Sequence, residues 1–320
     1  MNIELVVRDD TPAAGGNWQS AARLAHALRN RGAAAEVRRV SEPHRASVVH
    51  AFHALASALP LLDQGLDPRR MVVTWTGTDL SALGRVSAEA LARLGGVAHH
   101  TALTGAAAGA LHAAGPAWRV SHIPPGVDAR RFRPGPARSA GAPPQLLLAG
   151  AGRPVKRPAW AVALVGALRD AGVGAELTVL GPPRDAALWA ELGALARTRP
   201  WLALVDEVPP EDMPRWYQGA DVVLNVSEAE GLSNALLEGM ASGLPAVVTD
   251  IPGNRALVSH GTTGVVFSDA AEFVGGVEPL LRDPAERRRL GRAARAFVEA
   301  HHSLQQEADA FWAVYQRVAG

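Results

Sequence analysis

The chain has 320 residues, 48% of them apolar, and a net charge of +1, enough for two domains of ordinary size and too balanced in charge for a nucleic-acid binder. It contains no cysteine, which excludes disulfides, thiolate zinc sites and a cysteine nucleophile. Its basic residues are 31 arginines and a single lysine, Lys156. Arginine offers a rigid planar fork and lysine a compact point charge, so a lone lysine kept against that bias points to a pocket that requires it, such as one for a diphosphate; chance survival is the plain alternative.

In chain order, residues 2–7 read as a strand, with charges where a signal peptide would carry its apolar core, and the expectation is a cytoplasmic protein. The uncharged runs 46–62 and 94–118 contain His, Gly and Pro in place of sustained Leu, Ile and Val, so neither is expected to span a membrane. The segment DDTPAAGGNWQSAARLAHALRNRG then gives a loop, a glycine pair and an amphipathic helix ending near Gly32. Gly15 and Gly16 let the backbone approach a ligand, or simply make a tight turn, and Asn17 is expected to cap the helix. Strands at 35–40 and 48–52 lead through a helix to a strand at 71–75 and the turn TGTDL. His50 and His53 leave the third strand, and His53 is the choice for substrate contact, against the plain reading of either as a core or surface residue. Strands at 97–101 and 118–123 complete the first domain. Residues 133–144, rich in Pro, Gly and Ala without periodicity, read as a linker. The expected division is a first lobe over 1–140, a second over 141–303 and a final helix over 304–320. That helix carries Phe311, Trp312 and Tyr315, more aromatic surface than an isolated tail leaves exposed.

The second series opens with a strand at 145–149 followed by GAGRPVKRP. Gly150 and Gly152 have no third glycine, and Glu176 begins the next strand instead of ending it, so this is no dinucleotide fingerprint. Strands follow at 176–180 and 202–205. The apolar run 221–226 then empties into a polar loop that becomes a helix at Ser233 or Asn234. Glu230 stays in the loop and Glu238 falls on the second helical turn, so both carboxylates face one cleft. An ionised carboxylate only accepts, and can take two hydrogen bonds at once, which suits the vicinal hydroxyls of a ribose or hexose. The amides of Gly231, Leu232, Ser233 and Asn234 would meet phosphate or sugar oxygens. A surface helix with two solvated glutamates is the alternative. Gly239, inside the helix, costs about 1 kcal/mol against Ala and implies a close approach of backbone or ligand. From Ala271 the chain reads as helical, with Arg287, Arg288, Arg289, Arg292 and Arg295 as a solvated face.

The spacing from Glu230 to Glu238, followed by GLPAVVTDIPGNRALVSHGTTGVVF, resembles the E-x7-E signature of glycosyltransferase family 4. That resemblance implies the GT-B fold class: α/β, two Rossmann-like lobes with parallel sheets facing across a cleft, and a C-terminal helix crossing back to the first lobe. It implies that Glu230 approaches the donor sugar, Glu238 holds the nucleotide ribose, and Arg153 with Lys156 neutralises the donor diphosphate as charge develops. It places Val208, beside Glu207, in the base-binding loop, and a ligand near Gly15, Gly16 and Asn17. HIPPGVDARRFRP resembles the family's interdomain segment, with Pro125 where Asn is usual. Thr76 stands where the family usually has a histidine, so either His53 takes over part of that role or Thr76, Thr78 and Asp79 form a differently wired site. The activity implied is retaining transfer from an NDP-sugar, in the first place a UDP-sugar, with no cofactor and no metal; the helix N-terminal amides at the Gly15 to Asn17 turn favour a small soluble acceptor bearing an anionic group, and a monomer or homodimer is expected. The segments GGNWQSAAR and TGTDL also resemble the selenosugar synthase branch, which transfers from UDP-GlcNAc to selenophosphate. An epimerase or phosphorylase on the same fold, and a non-catalytic NDP-sugar-binding partner protein, are the rival readings.

Overall fold

The computed structural model describes every residue except Ala14, Ala137, Ala140 and Ala151; two positions of the expected linker and the middle of the Gly150–Gly152 fragment therefore lie outside the described residues. The chain forms two compact units, Met1–Gly126 with His302–Gly320, and Val127–His301.

The first unit is built on β1 (Asn2–Val7), β2 (Ala34–Arg39), β3 (Val48–Phe52), β4 (Met71–Trp75), β5 (His99–Ala102) and β6 (Val120–His122), in the parallel order β2-β1-β3-β4-β5-β6. A parallel sheet is covered on both faces, which is why VVHAF and MVVTW are buried throughout, not at alternate positions. On one face Ile3, Leu5 and Val7 pack with Leu24 and Leu28 of α1 (Gly16–Asn30) and with Phe311 and Tyr315 of the C-terminal helix Leu304–Ala319. The aromatic surface of the last helix is thus part of the first unit's core, and Trp312 is half-buried with the Arg31 guanidinium 5.9 Å from its ring. Asn17 does not cap α1. The Gly15 amide closes a turn onto the Pro12 carbonyl at 2.7 Å and the Gly15 carbonyl already accepts from the Gln19 amide, so the helix has begun before Asn17 is reached, with Gly15 as its cap.

The second unit is built on β7 (Gln145–Ala149), β8 (Glu176–Leu180), β9 (Leu202–Val205), β10 (Val222–Asn225), β11 (Ala246–Thr249) and β12 (Gly264–Phe267), in the parallel order β12-β11-β10-β7-β8-β9. The helices that bear on the site are α2 (Pro158–Asp170), α3 (Met213–Gln218), α4 (Asn234–Ala241) and α5 (Pro284–His301). The described residues of 133–144 pack on this unit: Arg138 donates to the Gly219 carbonyl at 2.7 Å and pairs with Asp221 at 3.1 Å. The arginines of α5 are not one solvated face. Arg295 donates to the carbonyls of Phe132 and Ala129 at 3.0 and 3.1 Å, because the turns there leave carbonyls that need donors, and Arg287 lies 3.7 Å from the Asp221 carboxylate. Arg288 and Arg292 are exposed as expected. Among the described residues, no helix is long and apolar enough to cross a membrane.

Candidate functional site

In an open parallel sheet, ligands bind outside the carboxyl ends of the strands where the strand order reverses, because the loops there diverge and leave a crevice. In the second unit the chain runs from β7 through β8 to β9 on one side and returns as β10 on the other, so the reversal lies between β7 and β10. Their loops hold Arg153, Lys156, Glu230 and residues 231–233. In the first unit the reversal lies between β1 and β3, whose loops hold Gly15 and His53.

The β7 loop ends in one helical turn, Pro154–Lys156, that buries Lys156 and joins its ammonium in an ion pair to the Glu230 carboxylate. The Glu228 amide donates to the Val155 carbonyl at 3.0 Å, so main chain and side chains together bridge the two loops. Arg153, the other expected cation, is exposed. Arg157 adopts a left-handed backbone, φ 50°, and its guanidinium sits 3.8 Å from the Trp160 ring on α2. Gly152 is required by protein packing, since a Cβ there would stand 1.6 Å from the Pro182 carbonyl oxygen.

The Glu230 loop is braced from below by residues that sequence reasoning missed. Thr249 Oγ1 donates to the Ser227 carbonyl at 2.7 Å, and buried Asn254 donates from Nδ2 to the Thr249 carbonyl at 3.0 Å. A Cβ on Gly253 would lie 2.2 Å from the Glu230 carbonyl oxygen. The signal was the run TDIPGN directly after an apolar strand: a glycine and an asparagine with no loop to fill.

On α4, Ser233 is the cap, its Oγ accepting from the Leu236 amide, and Glu238 stands on the second turn as expected. Gly231 and Leu232 are half-buried ahead of the cap and Asn234 is the first helical residue. The close approach at Gly239 is to the protein itself, a Cβ there meeting the Val223 side chain on β10 at 2.7 Å. Glu238 accepts a hydrogen bond at 2.9 Å from the hydroxyl of Tyr217 on α3, a second residue missed from sequence. Burial, then the nearby Glu238 charge, pushes the Tyr217 hydroxyl well above its ordinary pKa, so it stays protonated and donates. Beyond β9, Val208 packs half-buried on the core beneath α4 while Glu207 is exposed.

In the first unit the two sequence alternatives converge on one network. His53 follows β3 with φ 102°, a conformation rare outside glycine. Its Nδ1 accepts from the Ala56 amide at 3.1 Å, which leaves the proton on Nε2 to donate to Thr78 Oγ1 at 3.0 Å. The buried Asp79 carboxylate accepts from the amides of Ala54, Thr76 and Leu80 at 2.8, 2.9 and 3.0 Å, and lies 3.7 Å from His53. Burial lowers the His53 pKa, Asp79 opposes that and Arg8 adds to it; the imidazole is neutral. The β1 loop is held by Arg39, which donates to the Arg8 and Thr11 carbonyls at 3.3 and 3.0 Å and lies 4.9 Å from the Trp18 ring. Gly15 is buried there, Gly16 exposed and Asn17 half-buried. His50 is a core residue: Tyr315 and Thr74 bond its two nitrogens at 2.7 and 2.6 Å, and burial lowers its pKa to about 3.

Two parallel sheets of this order, each with its loops gathered at a reversal point, define the GT-B class of fold. Sucrose-phosphate synthase from Thermosynechococcus elongatus superposes with a TM-score of 0.82 over 99% of both chains at 17% identity. Anabaena HepE in complex with UDP-glucose does so with a TM-score of 0.79 over 99% of this chain and 100% of that one, at 14% identity. Residues 143–283 match the family model for glycosyl transferases group 1. Among curated proteins the chain is 30% identical over 159 residues to "Glycosyltransferase 1 domain-containing protein 1" of Xenopus tropicalis, covering 50% of this chain and 46% of that protein. It is 35% identical over 206 residues to a D-inositol 3-phosphate glycosyltransferase of Actinosynnema mirum, covering 57% and 49%. The chain thus spans about half the length of the curated relatives it matches.

Proposed function

We propose that the chain is a retaining glycosyltransferase of family 4 type that moves a sugar from a UDP-sugar to a small soluble acceptor. The observation that carries this reading is the Lys156–Glu230 pair at the reversal between β7 and β10, with Glu238 on the helix that follows. Lys156, assisted by Arg153, takes up the charge that develops on the diphosphate as the bond from the anomeric carbon to its oxygen breaks. Glu230 accepts from sugar hydroxyls and Glu238 from the ribose diol, with Val208 against the base. The two cations supply the positive charge that a divalent ion supplies in other phosphate chemistry, so turnover persists in EDTA. UDP is favoured by the HepE neighbour, which holds UDP-glucose on this fold. The acceptor faces the first unit's neutral His53 network and the β1 loop, with Gly15, Gly16, Asn17, Thr78 and Asp79.

The test is UDP release from UDP-glucose and UDP-GlcNAc, with and without acceptors: simple sugars, an inositol phosphate, small thiols, thiophosphate and selenophosphate. Acceptor-dependent release with retained anomeric configuration by NMR supports the reading. Inversion, or no release with any donor despite UDP binding, overturns it. Turnover with selenophosphate or thiophosphate alone assigns the selenosugar type of acceptor, and turnover with hydroxyl acceptors alone removes it.

A further inference from the structure

Tyr217 lies outside every motif read from the sequence, yet its ring is fully buried and its hydroxyl ends on Glu238. The ring packs edge-on against Phe132, 5.8 Å between centroids, in the core shared with Leu236, Leu237 and Met240 of α4. A tyrosine buried this deeply holds its oxygen in one place, and a buried hydroxyl requires a partner. Glutamate, by contrast, ends in a broad terminal torsion, so an unassisted carboxylate samples many directions. A donor at 2.9 Å onto an ionised carboxylate is a charge-assisted bond that removes that freedom before any ligand arrives. It also leaves acceptor capacity, since a carboxylate offers about four lone-pair positions. Tyr217 belongs to α3, the helix that follows the Val208 loop, so the element next to the expected base pocket also sets the ribose ligand.

We propose that Tyr217 is a positioning residue for nucleoside diphosphate binding: its hydroxyl fixes the Glu238 carboxylate in the orientation that receives the ribose 2′- and 3′-hydroxyls. This rests on the reading of Glu238 as the ribose ligand. It predicts that Tyr217→Phe, which keeps the ring and its packing, weakens UDP binding about fivefold with little change in melting temperature. Phe132→Leu, which loosens the ring's surroundings without touching the hydroxyl, lowers the melting temperature and leaves UDP affinity near the parent's.

The experiment is calorimetric titration of the full chain with UDP for the parent, Tyr217→Phe, Phe132→Leu, Glu238→Gln and the Tyr217→Phe/Glu238→Gln double variant, with a thermal melt of each. If the hydroxyl acts through Glu238, Tyr217→Phe weakens UDP in the parent and adds nothing in the Glu238→Gln background. A weakened Glu238→Gln beside a Tyr217→Phe of parental affinity overturns the inference alone. So does an equal additional loss in the double variant, which marks a general loosening of the core. A Glu238→Gln of parental affinity overturns the ribose reading and this inference with it.

Discussion

The two reversal points of this protein hold their polar groups by opposite means. Between β7 and β10 the loops meet through full charges, Lys156 and Glu230, largely withdrawn from water and paired with each other. Beside the reversal between β1 and β3 the corresponding groups are the neutral imidazole that follows β3 and, from the turn after β4, a threonine hydroxyl and an aspartate whose charge is satisfied by three backbone amides. A buried charge must be paired, and in the first arrangement a carboxylate balances the ammonium; under the proposed function that pairing holds the ammonium in place for a polyanion. The second arrangement is organised by main-chain hydrogen bonds and needs no ligand to balance it. One point is held by an ion pair and the other by hydrogen bonds to main chain, and substitutions at each should fail differently.

The largest expected effect is at the charged point. Lys156→Ala should lower turnover about 10³-fold, as loss of a group that stabilises transition-state charge does, and should destabilise the fold by about 3 kcal/mol by leaving Glu230 without its cation. Lys156→Arg sharpens the test: the charge is kept but the bulkier fork cannot reproduce a point charge in a tight pocket, so turnover still falls while the melting temperature holds. Full activity in Lys156→Arg would mean that the lone lysine survived by chance. Next comes Gly253→Ala, whose Cβ would press on the Glu230 carbonyl at 2.2 Å. The loop must shift, and turnover should fall about 100-fold, as for a misplacement of about 1 Å in a catalytic constellation. A crystal structure of the variant with Glu230 unmoved, or unchanged turnover, would show that the loop tolerates the displacement.

How much of this was legible in the sequence follows the same division. The strand at 71–75 and the helix starting at Asn234 came through with their bounds because branched apolar runs and a serine cap are local signals. Glu230, Glu238 and Lys156 stood out because charges in apolar context and a single lysine are conspicuous. Strands β11 and β12 lay unread inside a stretch recognised only by its resemblance, AVVT and GVVF being too short for a period to show. Tyr217, Thr249, Asn254 and Arg39 were missed because each acts on a residue distant in sequence. Tyr217 meets Glu238 across 21 positions, and nothing local marks that pairing. Of the α5 arginines, Arg287 and Arg295 were misread for a related reason: only the fold supplies the Asp221 carboxylate near Arg287 and the carbonyls of Ala129 and Phe132 that Arg295 satisfies.

A third prediction separates the two units by acid. Burial holds the pKa of His50 at about 3 and of His100 at about 4, both in the first unit. With folded values below the ordinary 6.5, the unfolded chain binds more protons than the fold as pH drops beneath 6.5. The stability these residues contribute is complete above pH 6.5 and is lost as pH falls toward 4, on the order of 2 kcal/mol per histidine by about pH 4.5. Urea melts followed by tryptophan fluorescence at pH 7.0 and 4.5 should show the first unit unfolding ahead of the second in acid, and His50→Phe should flatten that acid limb. Equal losses in both units would break the contrast.

The smallest expected effect, and the one that bears most directly on the division of labour, is at His53. Its φ of 102° excludes a β-branched replacement, which would add about 1–3 kcal/mol of strain, but asparagine has no more bulk at Cβ than the histidine that already adopts this backbone, and its side-chain oxygen can take over the hydrogen bond from the Ala56 amide. What His53→Asn removes is the Nε2–H donor that reaches Thr78. If the first unit serves the acceptor, the variant should raise the acceptor KM about tenfold, near 1.4 kcal/mol, while UDP affinity and melting temperature stay at the parent's values. Because burial lowers the His53 pKa, any change in the parent's acceptor KM as the imidazole charges should set in at lower pH than for an unperturbed histidine. A fall in UDP affinity as large as that from Glu238→Gln would place His53 against the donor and erase the contrast between a charged donor point and a neutral acceptor point. A rise in KM confined to the acceptor would establish that contrast with a single side chain.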